Sequence, residues 1–353
     1  MIKPPVEPML SKVAEEIPRT RGFIFEPKWD GFRAIVFRSD SGVFIQSRDL
    51  KPLDRYFPEL HDALAAALPD DCVVDGEIVI ATPRGLDFDL LQLRLHPAAS
   101  RVARLAQETP SSFVAFDLLA VDGQDLRSAA FEDRRTRLEK LLKHVKAPVH
   151  LTPMTRDRDV AVEWLQRFEG AGLDGVMAKP VAGAYEPGKR LMFKIKHSRT
   201  ADCAVAGFRW HKSGRGTLVG SLLLGLFDND RKLQHVGVTS AFTMPQRKQL
   251  AALLEPLRKD AMKNHPWRAW ASGADMQRMP GGQSRWSAGK DLSWEPVRVE
   301  LVCEVKYDHM QGDRFRHAAI FQRWRSDKAP KDCTYAQLDV TTPYELEKIF
   351  AGE

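Results

Sequence analysis

The stretch FEPKWDGFRAIVFR, residues 25–38, decides how the N-terminal half of the chain folds. Apolar residues alternate with polar ones on both sides of Asp30-Gly31, a favoured turn dipeptide, so the pattern predicts a β-hairpin. This places Lys28 at the rim of a sheet. A lysine becomes a nucleophile when nearby positive charge or partial burial lowers the pKa of its amine. Taken alone, the stretch fits either a reactive lysine or a solvated, charged hairpin.

Further segments rich in β-branched and aromatic residues follow, and these predicted strands alternate with amphipathic segments that end in helix stop signals. Because many of the strands come as neighbouring pairs, the pattern favours an α+β domain with antiparallel sheets over a doubly wound fold. Strands are predicted at residues 23–29, 32–38, 42–48, 72–81 and 112–121, and helices at residues 58–69, 132–145 and 158–172.

After residue 200 the chain consists of short β segments separated by turn residues, with one helical stretch at residues 245–259. This pattern is typical of a small barrel such as an OB-fold. The sequence therefore predicts two domains, at residues 1–198 and 199–353, with a hinge near residues 197–200. Residues 272–294 lack a regular period, which indicates a surface loop.

The length and composition of the chain indicate which classes of protein it can belong to. The 353 residues suit about two domains, and no run approaches the roughly 20 apolar residues that span a bilayer. The proline-broken N-terminus lacks the apolar core of a signal peptide. We therefore expect a cytoplasmic protein, whose four scattered cysteines are reduced core residues. The net charge of +6 suits a polyanionic partner such as nucleic acid, but it also suits a solvated basic face.

One segment resembles a phosphate-binding motif but departs from it at key positions. GAYEPGKR, residues 183–190, nearly matches the phosphate-binding P-loop. Arg190 stands where the magnesium-binding hydroxyl belongs, and Pro187 removes a backbone N–H from the phosphate cradle. The alternating residues that follow predict a strand, whereas a P-loop opens a helix. The P-loop interpretation is therefore rejected.

Several charged residues occupy strand positions that need explaining. Glu77 lies in an apolar strand, where a carboxylate is costly unless it is paired or bound to a cation. Lys194 and Lys196 share one face of a strand by the period of two, and they repel each other unless an anion lies between them. A structural ion pair for Glu77 and a solvated edge strand for the lysines are the alternatives. Phe116 suits either the core or stacking on a base.

Taken in order, these segments resemble the nucleotidyltransferase motifs of ATP-dependent DNA ligases. The motifs are KWDGFR, SRD, DGEI, FVAFDLL, DGVMAK and FKIKH, and the tail RFRHAAIFQRWRSDK resembles the last motif of that superfamily. The resemblance runs from about residue 26 to residue 328. It is strongest with small bacterial ligases of the ligase C type and with the ligase domain of ligase D. It implies an adenylation domain of antiparallel sheets with helices, followed by an OB-fold domain.

The resemblance also implies a reaction. A lysine would take AMP from ATP and pass it to the 5′-phosphate of nicked double-stranded DNA, and the 3′-OH would then displace AMP to seal the nick. It implies Mg²⁺ or Mn²⁺ as the metal and a monomer that acts in DNA repair at the nucleoid, with repair proteins as further partners.

The resemblance assigns roles to residues that match the motifs. Lys28 would be the nucleophile that carries AMP, with Lys194, Lys196, Asp327 and Lys328 as further catalytic residues; Glu26, Arg33, Arg48, Glu77, Phe116, Lys179 and Arg325 would bind ATP and AMP; Glu77 and Asp174 would bind the metal.

One position departs from the ligase pattern. Ligases usually have glutamate where this chain has Asp174, and aspartate also occurs there in mRNA capping guanylyltransferases. An RNA ligase or a GTP-dependent capping enzyme is therefore an alternative, although the GVMAK continuation and the C-terminal motif favour a ligase. A non-catalytic nucleic-acid-binding relative is a further alternative, and the retained Lys28 argues against it.

Overall fold

A computed structural model describes residues 2–197, 199–271, 293–308, 310–338 and 344–351. The chain forms two compact units, residues 1–196 together with 341–353, and residues 197–340. The sequence assigned all of residues 199–353 to the second domain. The C-terminal helix instead belongs to the first unit, because its apolar face packs there. Most of the predicted loop at residues 272–294 lies outside the described residues.

The described residues of the first unit form twelve strands. They are β1 (Leu10–Ala14), β2 (Phe23–Lys28), β3 (Phe32–Ser39), β4 (Gly42–Ser47), β5 (Cys72–Val79), β6 (Ala81–Thr82), β7 (Gly85–Leu86), β8 (Ser112–Val121), β9 (Gln124–Asp125), β10 (Val149–Leu151), β11 (Gly175–Pro180) and β12 (Arg190–Lys196). Its helices are α1 (Pro58–Ala67), α2 (Phe88–Leu93), α3 (Ala99–Glu108), α4 (Phe131–Leu141), α5 (Arg158–Arg167) and, from the C-terminus, α8 (Leu346–Ala351).

Two sheets organise this unit. The larger has the order β10-β8-β5-β3-β4, with β9 beside β8, and the smaller has the order β1-β12-β11-β2. All pairs are antiparallel except β10 with β8 and β1 with β12. The predicted α+β class with mainly antiparallel sheets is therefore confirmed. β12 begins at Arg190 as a strand, which agrees with the rejection of the P-loop.

The period of two in the strands separates the packing of the larger sheet into two faces. Ala34 and Val36 of β3 pack against helices α1 and α4, whereas Ile35 and Phe37 pack on the opposite face with Met192 of the smaller sheet. The outer face of the smaller sheet packs against α5. A space between the two sheets is therefore bordered by one face of each.

The predicted hairpin at residues 25–38 is wrong in one respect. β2 and β3 do form, but β2 belongs to the smaller sheet and β3 to the larger one. The turn carries the chain from one sheet to the other, past β5. A Cβ atom at Gly31 would lie 2.2 Å from the carbonyl oxygen of Ile78, so this crossing needs a glycine.

The C-terminal helix α8 completes the first unit behind this crossing. The ring of Phe350 stacks on Trp29 with centroids 5.2 Å apart, and on His150 with centroids 3.9 Å apart. Trp29 also donates a hydrogen bond from Nε1 to Thr152 Oγ1 at 2.8 Å. The residue next to Lys28 is therefore held by the last helix of the chain.

The second unit contains a five-stranded antiparallel sheet in the order β15-β14-β13-β16-β19. Its elements are β13 (Arg199–Trp210), β14 (Val219–Phe227), β15 (Leu233–Thr239), β16 (Glu295–Tyr307), β17 (Met310–Gln311), β18 (Arg314–Phe315), β19 (Ile320–Trp324), α6 (Met244–Arg258) and α7 (Arg268–Ala271). Helix α6 begins with a capping box between Thr243 and Gln246, and buries Leu250 and Leu254 in the core of the sheet.

Candidate active site

A cleft lies within the first unit, between the facing sides of its two sheets. β2, β11 and β12 direct alternate side chains into it from the smaller sheet, and β3, β5 and β8 do so from the larger one. The polar and aromatic residues that line it include Glu26, Lys28, Arg33, Arg48, Glu77, Phe116, Lys179 and Lys194. Eight of the predicted site residues, which are far apart in the sequence, therefore share one cleft.

Lys28 ends β2 beside a carboxylate. Its Nζ lies 2.5 Å from Oδ2 of Asp174, and Nζ of Lys196 lies 2.9 Å from the same oxygen. Lys28 and Lys196 are brought together because each is paired in register with Gly175, the first residue of β11. Burial opposes ionisation of Asp174, but the charges and hydrogen bonds of both lysines outweigh it, so the pKa of Asp174 is lower than usual.

Lys194 adds a further positive charge to this end of the cleft. Partial burial, followed by the charges of Lys28 and Lys196, lowers the pKa of its amine. Arg48, which follows β4, lies exposed at the edge of the cleft. The predicted cluster of cations is therefore present, and positive charges grouped in this way can bind an anionic ligand.

Glu77 and Arg33 are register partners on β5 and β3. Burial raises the pKa of Glu77 to about 7, although Lys28 and Arg33 oppose this shift. Arg33 donates from Nε and Nη2 to the two oxygens of Asp75, both at 2.5 Å. Tyr185 donates from its hydroxyl to Oδ2 of Asp75 at 2.6 Å and accepts from the backbone N–H of Met9 at 3.1 Å. A network of the buried residues Asp75 and Tyr185 thus fixes the direction of the partly buried Arg33 side chain.

Glu26 is buried with both of its oxygens in contact with cations. Arg135 of α4 donates to Oε1 at 3.0 Å, and Nζ of Lys179 lies 2.5 Å from Oε2. Arg135 also donates to the carbonyl oxygen of Thr152 at 2.7 Å. Lys179 lies 4.4 Å from the centre of the Phe116 ring. Both oxygens of the Glu26 side chain therefore face positively charged groups.

The metal prediction concerns Glu77 and Asp174. Within the part of the chain that the structure describes, no group of three or more His, Cys, Asp and Glu side chains is arranged to hold a metal ion. Mg²⁺ is commonly bound through one or two carboxylates together with substrate phosphates and water. Glu77 lines the cleft, and both carboxylates act electrostatically on Lys28. The residues fit a metal that arrives with a nucleotide, and not a site formed by the protein alone.

The three remaining predicted residues lie in the second unit, in the turn after β19. Arg325 donates to both oxygens of Asp327, from Nε at 2.9 Å and from Nη2 at 2.8 Å. These hydrogen bonds are the main reason that the pKa of Asp327 falls to about 2. Arg325 and Lys328 both donate to Asp202 of β13.

Models of known protein families match most of this chain. The ATP dependent DNA ligase domain matches residues 8–196, and the ATP dependent DNA ligase C terminal region matches residues 215–328. The chain belongs to the ATP-dependent DNA ligase family. Its second unit, with the five-stranded sheet described above, is the OB-fold region of this family. Both predicted domains of this ligase therefore have the predicted fold.

Individual relatives agree. DNA ligase C2 of Mycolicibacterium smegmatis is 54% identical over 96% of this chain and 95% of its own length, and DNA ligase C of Mycobacterium tuberculosis is 51% identical over 99% and 98%. The solved structure of a Lig E DNA ligase has a TM-score of 0.56 and covers 90% of this chain and 99% of that one. At 17% identity, that likeness concerns the fold alone.

Four residues of this ligase escaped the sequence analysis: Asp75, Arg135, Tyr185 and Asp202. Asp75 lies in the DGEI motif, and Tyr185 lies in the GAYEPGKR segment that nearly matches a P-loop. A charged residue within an apolar strand signals a partner, and this signal is as strong for Asp75 as for Glu77. Arg135 lies in a helix rich in charges, where nothing in the sequence distinguishes it from exposed residues such as Asp133 and Arg137.

The structure also bears on the predictions about the cysteines and about membrane-spanning segments of this ligase. Its four cysteines are free and buried, as predicted. In the described part of the chain, no helix is both long and apolar enough to cross a membrane.

Proposed function

We propose that this ligase seals nicks in double-stranded DNA through an enzyme intermediate in which AMP is bonded to Lys28. The observation that carries the proposal is the position of Nζ of Lys28. It lies in a cleft that also presents cations for phosphates, an aromatic ring for a base and carboxylates for a ribose or a metal.

In the first step, the neutral amine of Lys28 attacks the α-phosphorus of ATP. A nitrogen–phosphorus bond forms, the bond to the bridging oxygen breaks, and pyrophosphate leaves with the electron pair while the amine loses a proton. The step is an in-line displacement, so positioning and charge neutralisation dominate catalysis. Lys194 and Lys196 are suited to neutralise phosphate charge beside Lys28, since Asp174 balances them only in part.

The positions of the base and the ribose are assigned from the chemistry of the other residues that line the cleft. The Phe116 ring would stack on adenine, with Met177 of β11 as a further apolar contact. Glu26 would accept from the adenine amino group, which guanine does not present at that position. Arg33 and Glu77 would hold the ribose, and Arg48 the 5′-phosphate of the nick.

Mg²⁺ would supply charge neutralisation at the phosphates of the nucleotide. Glu77 and Asp174 would hold it together with those phosphates, and Mn²⁺ suits the same oxygen ligands. Arg325, Asp327 and Lys328 of the OB-fold domain would orient the leaving pyrophosphate in the first step only.

In the second and third steps, AMP passes to the 5′-phosphate of the nick, and the 3′-OH then attacks that phosphate and releases AMP. The net charge of +6 supports backbone contacts to DNA with little base readout. We infer a monomer, because one chain supplies every residue assigned to the reaction. A role in DNA repair is supported by a relative that is 29% identical and is named multifunctional non-homologous end joining protein LigD.

The test is incubation of the purified protein with ATP labelled at the α-phosphate, with Mg²⁺, followed by a denaturing gel. Wild type is expected to take up label and Lys28→Ala none. On addition of nicked DNA, the label should move to the DNA and then to free AMP as sealed product forms. Label from GTP would support the capping alternative. Absence of label from both nucleotides, or label on Lys28→Ala, would overturn the proposal.

A further inference from the structure

Asp202 lies at the start of the central strand of the OB-fold domain. Only 12% of its side chain is exposed. Three hydrogen bonds reach this carboxylate from the C-terminal motif. Arg325 donates from Nη1 to Oδ1 at 2.9 Å and to Oδ2 at 2.8 Å, and Lys328 donates from Nζ to Oδ2 at 3.0 Å.

The backbone of Asp202 is fixed as well. Its N–H donates to Oε1 of Gln337 at 2.8 Å, and its carbonyl oxygen accepts from Nε2 of Gln337 at 3.0 Å. The same amide group donates to the carbonyl oxygen of Thr334 at 2.8 Å. This double contact to one glutamine holds the strand in place, so the position of the carboxylate is set by the fold and not by a mobile loop.

The contacts have an electrostatic consequence. Arg325 and Lys328 both donate to one oxygen, so two positive charges that would repel each other are held close together. Two cations, Arg325 and Lys328, and two carboxylates, Asp202 and Asp327, balance in charge. Without the charge of Asp202, the group would carry an excess positive charge and the two cations would move apart.

We infer that Asp202 is a positioning residue that sets the spacing and direction of Arg325 and Lys328 for the leaving pyrophosphate. This inference rests on the proposed function, because the motif is assigned to the first step there. Asp202 does not touch the reacting atoms. It keeps the two cations at one spacing before ATP is bound, which lowers the cost of ordering them in the transition state.

The inference separates the steps of the reaction. If Asp202 positions the two cations for pyrophosphate, its loss lowers the rate of AMP transfer to Lys28. It also lowers, by the same factor, the rate at which pyrophosphate reverses that transfer. It leaves the sealing of DNA that already carries AMP unchanged. A carboxylate that merely stabilised the OB-fold domain would affect every step, because all of them need a folded domain.

The experiment compares wild type, Asp202→Asn and Glu304→Gln. Glu304 is the matched control, because it is the register partner of Asp202 on β16 and pairs with Arg323, which is not one of the three residues assigned to the leaving pyrophosphate. Three rates are measured: uptake of label from ATP, discharge of the AMP-bound enzyme by pyrophosphate, and sealing of a nicked duplex that carries AMP on its 5′-phosphate.

For Asp202→Asn we expect the first two rates to fall about tenfold or more, with little change in the KM for ATP, and the third to stay within about twofold of wild type. Glu304→Gln should match wild type in all three. Equal loss of all three rates in Asp202→Asn overturns the inference, as do unchanged or faster uptake of label and a Glu304→Gln variant with the same defect. Absence of label on wild type would instead show that the proposed function is wrong.

Discussion

Oδ2 of Asp174 lies within hydrogen-bond distance of two lysines at once, 2.5 Å from Nζ of Lys28 and 2.9 Å from Nζ of Lys196. The carboxylate is buried, and the charges and hydrogen bonds of the two lysines lower its pKa below the usual value in spite of that burial. The aspartate that departs from the usual ligase pattern is therefore long enough to reach the candidate nucleophile.

Asp174→Asn should lower the rate of label uptake from ATP. The amide keeps the volume but loses the charge that holds Lys28 and Lys196 together, and misplacement of a reacting group by about 1 Å costs about 100-fold. Asp174→Glu restores the charge and should retain activity. Initial rates with labelled ATP measure this, with Asp159→Asn on the exposed surface of α5 as a control. Full activity of Asp174→Asn would show that the contact has no catalytic role.

Glu77→Gln should change how stability depends on pH. The pKa of Glu77 is about 7 in the folded protein against 4.5 ordinarily, so between these values the folded state holds a proton that the unfolded state has lost. Stability from this group therefore falls as pH rises from about 4.5 to 7. The variant lacks the effect and should gain about 2 kcal/mol over wild type between pH 5 and pH 8. Denaturant unfolding without nucleotide at both pH values measures it. A constant difference would mean that Glu77 titrates normally.

Tyr185→Phe should weaken ATP binding through Arg33. It deletes only the hydroxyl that joins Asp75 to Met9, so Arg33 loses part of its support while the ring remains in the core. We expect an increase in the KM for ATP of about threefold to tenfold with a smaller effect on kcat, and a loss of about 1–2 kcal/mol in stability.

Tyr335→Phe is the matched control for this change, because its hydroxyl donates to the carbonyl oxygen of Asp313 in the second unit. Each variant loses one tyrosine hydroxyl group. If both shift the KM equally, the effect comes from general destabilisation and not from Arg33.

Phe350→Ala should expose His150 and loosen Trp29. Burial lowers the pKa of His150 to about 4, and the stacked ring of Phe350 supplies part of that burial. We expect the pKa of His150 to move back toward 6.5 in the variant, as followed by NMR titration of the imidazole signals. The rate of label uptake should fall, because Trp29 adjoins Lys28 in the chain. An unchanged pKa of His150 would show that α8 does not cover it in solution.

The sequence was sufficient to predict the strand and helix content and the order of the motifs. It also predicted the change near residue 200 from mixed strands and helices to short β segments. Alternation in β12 correctly predicted that Lys194 and Lys196 share a face, because the side-chain period of a strand is fixed by backbone geometry. Local patterns also excluded the P-loop, since the residues after it alternate as a strand.

The partners of the charged residues could not be predicted. Arg135 and Glu26 are 109 residues apart, and Asp202 and Arg325 are 123 apart. A pattern along the chain reports which side of an element a residue faces, but not which residue of another element lies opposite. The C-terminal helix shows the same limit, because a pattern of apolar residues does not specify which core they join.

By itself, the sequence determined the family, the two folds and the identity of the candidate nucleophile, because these follow from local periodicity and from motif residues in a set order. Only the tertiary structure decided that β2 and β3 leave the turn at Asp30-Gly31 for different sheets, so that Lys28 and Arg33 border one cleft from opposite sides. A turn fixes the local direction of the chain, whereas the pairing of each strand depends on hydrogen bonds to strands distant in sequence.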